Sequence, residues 1–106
     1  MRLVAAAGGE DTAPPSLIEQ AEAVLAFLNQ KTGRKYAART PNGAATANAD
    51  LIYQRLKDGY SVEDLRSVIA LKCRQWGQSD KMRPFLRPQT LFARSKFETY
   101  IGELEE

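Results

Sequence analysis

The chain has 106 residues, 43% hydrophobic and 26% charged, with a net charge of +2, which suffices for one domain with a single modest core and excludes two. Its one cysteine, Cys73, excludes an internal disulfide framework and fits a reducing compartment. No apolar run approaches the roughly 18 residues a membrane span needs, and Met1–Gly9 is too weakly apolar for a secretory signal, so a cytoplasmic chain with no membrane partner is expected.

The small net charge conceals an uneven distribution. Residues 1–30 carry one arginine against four acids, and residues 97–106 carry four acids and no base. Residues 31–96 hold fourteen Lys and Arg against five Asp and Glu, a balance of +9. A basic middle between acidic ends suits either a polyanionic partner or a solvated surface with its charges on every face.

Residues 1–15 are Ala/Gly-rich, end in Ala13-Pro14-Pro15 and show no periodicity, as in a flexible leader or linker. The folded domain is expected over residues 16–106. Ser16 and Glu19 form a capping box, and Leu17, Ala21, Val24 and Leu28 recur at helical spacing with Leu25 beside them. Gly33 is placed to end this first helix in the left-handed conformation. Arg34-Lys35-Tyr36 follows, where the tyrosine either stacks on a nucleobase or packs its ring on the core with its hydroxyl wet. Pro41-Asn42-Gly43 marks a turn.

A second helix is predicted from about Thr46 to Asp58, buried through Ile52, Leu56, Ala49 and Tyr53 and stopped by Gly59; Thr46, Asn48 and Asp50 are alternative N-caps. Ser61 and Asp64 repeat the capping arrangement and open a third helix, with Val62, Leu65, Ile69, Cys73 and Trp76 along one side and its end at Gly77. Cys73 on that stripe reads as a buried structural thiol. Arg66 and Arg74 fall off the stripe.

After the polar break Gln78-Ser79-Asp80 comes Leu86-Arg87-Pro88-Gln89-Thr90-Leu91-Phe92. Arg87 precedes proline and should be extended, while Pro88 suits the first position of a helical turn. One turn on, Leu91 and Phe92 are too apolar to leave in water, so the stretch reads as a plug driving two large side chains into the core. A last helix is expected from a capping box of Ser95 with Glu98, burying Phe97, Ile101 and Leu104. The fold class is therefore all-α: a compact bundle of about four helices closed by a proline-containing turn, with Trp76 packed near the plug.

The chain has no histidine, which removes Ser-His and Cys-His nucleophile pairs and the usual zinc sites. Its glycines are spread singly at helix ends rather than gathered in a phosphate loop. Helix capping accounts for the isolated carboxylates of the basic middle better than metal-assisted hydrolysis does. A non-enzymatic protein without cofactor or metal is expected.

Three groups of residues together resemble the conserved C-terminal domain of phage replication proteins, the replisome organisers and initiators of temperate phages and prophages. They are Phe27-Leu28-Asn29 with Thr32-Gly33-Arg34-Lys35-Tyr36; Gly59-Tyr60-Ser61 with Asp64-Leu65, Val68-Ile69, Lys72 and Trp76; and Phe85-Leu86-Arg87-Pro88 with Thr90-Leu91-Phe92 and Lys96-Phe97-Glu98. The likeness covers about residues 22–104. Two places depart from it: Ala93-Arg94-Ser95 lengthens the link before Lys96-Phe97-Glu98, and residues 42–49 are rich in Ala and Asn where the family is more basic. The winged-helix DNA-binding domain usual in such proteins has no counterpart, so the chain reads as an excised C-terminal domain or a product carrying only that domain.

The resemblance implies a part in starting phage DNA replication and in recruiting the replicative helicase or its loader. Together with the +9 balance it makes Arg34, Lys35, Arg66, Arg74, Arg83 and Arg87 candidate phosphate contacts for sequence-tolerant DNA binding, with Tyr36 and Tyr60 available to stack on exposed bases. The alternative is a stand-alone regulator that docks on an acidic surface of host machinery without touching DNA.

Overall fold

The computed structural model describes residues 16–104; the leader expected over residues 1–15 lies outside them, as do Glu105 and Glu106. Capping chemistry sets the helix starts. The Ser16 hydroxyl accepts the Glu19 N–H at 3.2 Å while the Glu19 carboxylate accepts the Ser16 N–H at 3.0 Å, and α1 runs Leu17–Thr32. Gly33 ends it at φ 74°, its N–H bonded to the Asn29 carbonyl at 2.8 Å, a conformation that costs glycine little. Of the three candidate caps for α2 (Ala47–Lys57) the chain uses Thr46, whose hydroxyl accepts from Ala49 N–H at 3.2 Å and donates to the Ala37 carbonyl at 2.7 Å. The Ser61–Asp64 box opens α3 (Val62–Trp76) with bonds of 3.1 and 3.0 Å.

Between α1 and α2 the Pro41-Asn42-Gly43 turn closes a small loop with an isolated antiparallel bridge, Arg39 to Ala45; among the described residues there is no strand. After α3 come a single 3-10 turn at Arg83–Phe85, the one-turn α4 (Pro88–Leu91) and α5 (Arg94–Leu104). The expected all-α bundle is thus the fold.

α1 packs on both α2 and α3, α3 also packs on α5, and α4 touches α2 and α5. The core draws on Val24, Leu25 and Leu28 of α1, Ile52 and Leu56 of α2, Leu65, Val68 and Ile69 of α3, and Phe97 of α5. The plug forms as its sequence demands: Arg87 is extended (φ −149°, ψ 155°), Pro88 begins the turn, and Leu91 and Phe92 are both fully buried. The Phe92 carbonyl, taken into the core with its side chain, accepts from Nη1 of the buried Arg55 at 3.1 Å. The Arg55 Nε lies 3.0 Å from Asp58 Oδ2, as a close ion pair rather than an aligned hydrogen bond.

Three expectations need correction. The buried stripe of α3 is Leu65, Val68, Ile69 and Lys72, whereas Val62, Cys73 and Trp76 are half-buried. Lys72 takes the inner place because its ammonium finds Glu103 Oε1 at 2.8 Å and Gln75 Oε1 at 2.9 Å, and lies 4.1 Å from the Tyr100 ring centre and 5.0 Å from that of Trp76. Trp76 is consequently turned toward Tyr100, edge-on at 6.0 Å. The aromatic neighbour of Phe92 is Phe97 at 5.8 Å, and Ile101 is half-buried. Lastly, Ser95 does not cap α5: the helix begins at Arg94, two residues before the start a Ser95 cap would set, with Phe97 N–H on the Ala93 carbonyl at 2.8 Å, and Glu98 lies 3.5 Å from Arg94 Nε.

Phe97→Ala empties a fully buried site and should lower the unfolding free energy by about 3–5 kcal/mol. Trp76→Ala removes a ring that still meets water and should cost about half as much by the same cavity argument. Urea titrations of the two variants give the order, and equal losses would place Trp76 in the core after all.

Candidate functional site

The most specific polar construction on the surface starts at Asn29, in the last turns of α1. Its side chain donates to the Tyr36 carbonyl and accepts the Tyr36 N–H, both at 2.9 Å. Two opposed bonds from one amide hold residue 36 as a neighbouring strand would. Thr32 aids the reversal, donating to the Leu28 carbonyl at 2.8 Å and accepting from the Arg34 N–H at 3.3 Å. Tyr36 then lays its ring against the core and directs its hydroxyl outward. There it accepts from Arg34 Nη1 at 2.9 Å and donates to the Leu86 carbonyl at 3.5 Å, while Arg34 Nη2 reaches the Arg83 carbonyl at 3.3 Å.

These bonds join two stretches fifty residues apart in sequence that share a composition. No Asp or Glu occurs between Glu22 and Asp50, where Lys31, Arg34, Lys35 and Arg39 lie. None occurs between Asp80 and Glu98, where Lys81, Arg83, Arg87, Arg94 and Lys96 lie. Where the stretches meet, the carboxylate at hand is Asp80, 3.4 Å from Arg83 and almost wholly in water, a pair that offsets little of the local field. Arg87 is steadied by Nε on Thr90 Oγ1 at 3.1 Å, with its guanidinium 5.3 Å from the Phe85 ring centre.

Of the residues singled out from sequence, Arg34, Tyr36, Arg83 and Arg87 are gathered at this corner. Lys35 stands beside them, exposed and without a partner among the described residues. Arg66 lies over the Phe27 ring at 5.4 Å, with Lys31 over the same ring at 5.5 Å, which carries positive charge back along α1 toward Arg34. Tyr60 and Arg74 do not join. Tyr60 meets Phe97 edge-on at 4.8 Å and ties the start of α3 to α5, and Arg74 is exposed with no partner among the described residues.

Sequence reasoning missed Asn29, Phe27, Lys31 and Phe85 as members of the site. For Phe27 and Lys31 the signal was present, an aromatic and a cation four apart on one helix. For Asn29 none was, because its partners are backbone atoms.

A cleft of about 220 Å³ elsewhere, between α1, the 38–45 loop and α2, is walled by Ile18, Ala38, Ala49 and Tyr53. Its polar rim is already engaged, Arg39 bonding Glu22 at 2.6 Å. Among the described residues no three carboxylate or thiol groups converge as a metal ligand set. Burial pushes the half-buried Cys73 thiol above its ordinary range, and nearby Lys31 draws it partly back.

What the structure defines is a small helical domain with an acid-poor, arginine-rich corner braced from two sides. The chain belongs to the family described as the conserved phage C-terminus, which it matches over residues 24–102. No curated protein and no solved structure matches it.

Asn29→Ala leaves the Tyr36 N–H and carbonyl without their partners and should lower stability by about 1–3 kcal/mol, read by thermal melting. Asn29→Asp keeps the acceptor but loses the donor and should fall between the two. Cys73, with its pKa raised, has less thiolate at pH 8 than an unperturbed cysteine. Alkylation by iodoacetamide should therefore run slower than for a free cysteine peptide, and the rate should keep rising past the pH where the peptide levels off.

Proposed function

We propose that this domain is a non-enzymatic part of a phage or prophage replication-initiation protein, where it holds DNA with little regard for sequence and helps recruit the replicative helicase or its loader. The observation that carries the reading is the meeting of two acid-free basic stretches at Arg34 and Arg83. Such a corner concentrates positive potential, and each phosphate it neutralises releases condensed counterions. Membership of a phage family supports the setting, and the likeness to replication proteins supplies the process. No helix among the described residues is long and apolar enough to cross a membrane.

The contacts involve backbone phosphates, so affinity should track charge more than base identity. A fluorescence-polarisation titration of labelled DNA over a range of salt tests this. With three to five contacts engaged, the log–log slope for a single strand is about −0.7 per contact, so a fourfold rise in salt weakens binding by one to two orders of magnitude. Lys35→Ala with Arg83→Ala removes two side chains that brace no buried group and should flatten the slope by about 1.4, with circular dichroism unchanged. Absence of any DNA association at low salt would overturn the DNA contact and favour the same corner docking on an acidic protein surface.

A further inference from the structure

The two tyrosines expected to stack, Tyr36 and Tyr60, are both engaged within the fold. The Tyr36 hydroxyl is held between Arg34 and Leu86, and Tyr60 is edge-on to Phe97 within the bundle. The aromatic left facing solvent at the corner is Phe85, 38% exposed. We infer that Phe85 is a stacking platform for an unpaired nucleobase, and that the DNA this domain prefers is single-stranded; the inference rests on the DNA reading above and deepens it.

Four observations converge on the ring. It sits in a turn that cannot easily yield: Pro84 fixes the backbone within it, the Phe85 N–H is bonded to the Met82 carbonyl at 2.9 Å and the Leu86 N–H to the Arg83 carbonyl at 3.0 Å. The turn is anchored directly afterwards by Leu86, 2% exposed, and by buried Pro88, so the Phe85 ring is left outside while the residue after it goes in. Cations flank it: the Arg87 guanidinium lies 5.3 Å from the ring centre, and Arg83 begins the same turn with its side chain in water apart from exposed Asp80. Finally, the carbonyls of Arg83 and Leu86 on either side of it are the ones that Arg34 and Tyr36 grip, so the backbone of the platform is tied to the stretch that carries Arg34 and Lys35.

An aromatic face set beside guanidinium groups is the arrangement by which single strands are held without sequence readout: bases stack, and neighbouring phosphates meet the cations. A duplex keeps its bases inside its own stack and offers this ring only sugar and phosphate. The ring should therefore discriminate by strandedness, while the cations serve both forms.

The test is to titrate the full chain with a labelled oligothymidylate and with a labelled duplex of equal length, comparing wild type with Phe85→Ala, Phe85→Leu and Phe85→Trp. The expected result is tighter binding to oligothymidylate than to the duplex, a loss of about 5- to 100-fold on oligothymidylate for both Ala and Leu, retention by Trp, and unchanged duplex binding throughout. Phe85→Leu keeps apolar bulk, so its loss identifies stacking rather than simple contact; retention by Leu overturns the inference. Equal loss on both DNAs also overturns it, because a ring that reads strandedness cannot matter to a duplex. Wild-type binding to DNA that none of the three substitutions alters overturns the inference and leaves the DNA reading intact, whereas wild type that binds neither DNA at low salt overturns both.

Discussion

The bond from Arg55 to the Phe92 carbonyl is the constraint on which the second half of the chain depends. A helix of four residues has no stability of its own, since nucleation fixes several residues for one bond. α4 exists because its end is driven inward, and driving Leu91 and Phe92 inward also carries a backbone carbonyl out of water. A buried carbonyl without a partner would oppose the burial that the two side chains favour. Arg55 resolves the conflict from α2, and Asp58 keeps the guanidinium from being an uncompensated buried charge. With that carbonyl satisfied, Pro88 stays inside, and the Arg83–Arg87 segment ahead of it is fixed at one end. Asn29 and Tyr36 fix it from the other side.

The same bond changes how the charge of the chain should be counted. Fourteen cations lie in residues 31–96, but Arg39, Arg55, Lys72, Arg83 and Arg94 each have a carboxylate within 4 Å among the described residues. Two of these, Arg55 and Lys72, are buried and serve the fold. The polyanion reading therefore rests less on the total than on placement, namely that two acid-free stretches converge. A net charge computed over a segment cannot distinguish a cation facing a ligand from one that closes a core.

Much of the architecture was legible because its determinants are local. The Ser16 and Ser61 boxes, Gly33 and the Arg87-Pro88 dipeptide each act within a few residues, and each does what its type dictates. Most of the failures share one origin, side chains whose position is decided by a distant partner. Lys72 displaced Cys73 and Trp76 from the inner stripe because Glu103 and Tyr100, about thirty residues on, make burial of an ammonium tolerable. At the site the arginines were nameable from composition, and their grouping was not. Arg34 and Arg83 meet through a carbonyl and a tyrosine hydroxyl, contacts that no periodicity encodes. Ser95 missed its expected role for a local reason: the chain turned into helix two residues sooner, after Phe92 had ended α4.

The Lys72 cage has a consequence for how α5 docks. Apolar surfaces slide over one another at small cost, so a helix held by Phe97 alone could settle at several positions along its neighbour. An ammonium held by Gln75 and Trp76 of its own helix and by Tyr100 and Glu103 of the other admits far fewer. Shifting α5 by one residue moves it about 1.5 Å along its axis and turns it by more than a quarter of a revolution. The carboxylate would swing away and leave a buried cation without its counter-charge, which is severely unfavourable. The cage thus acts as a key that admits one axial setting of the last helix and rejects its neighbours.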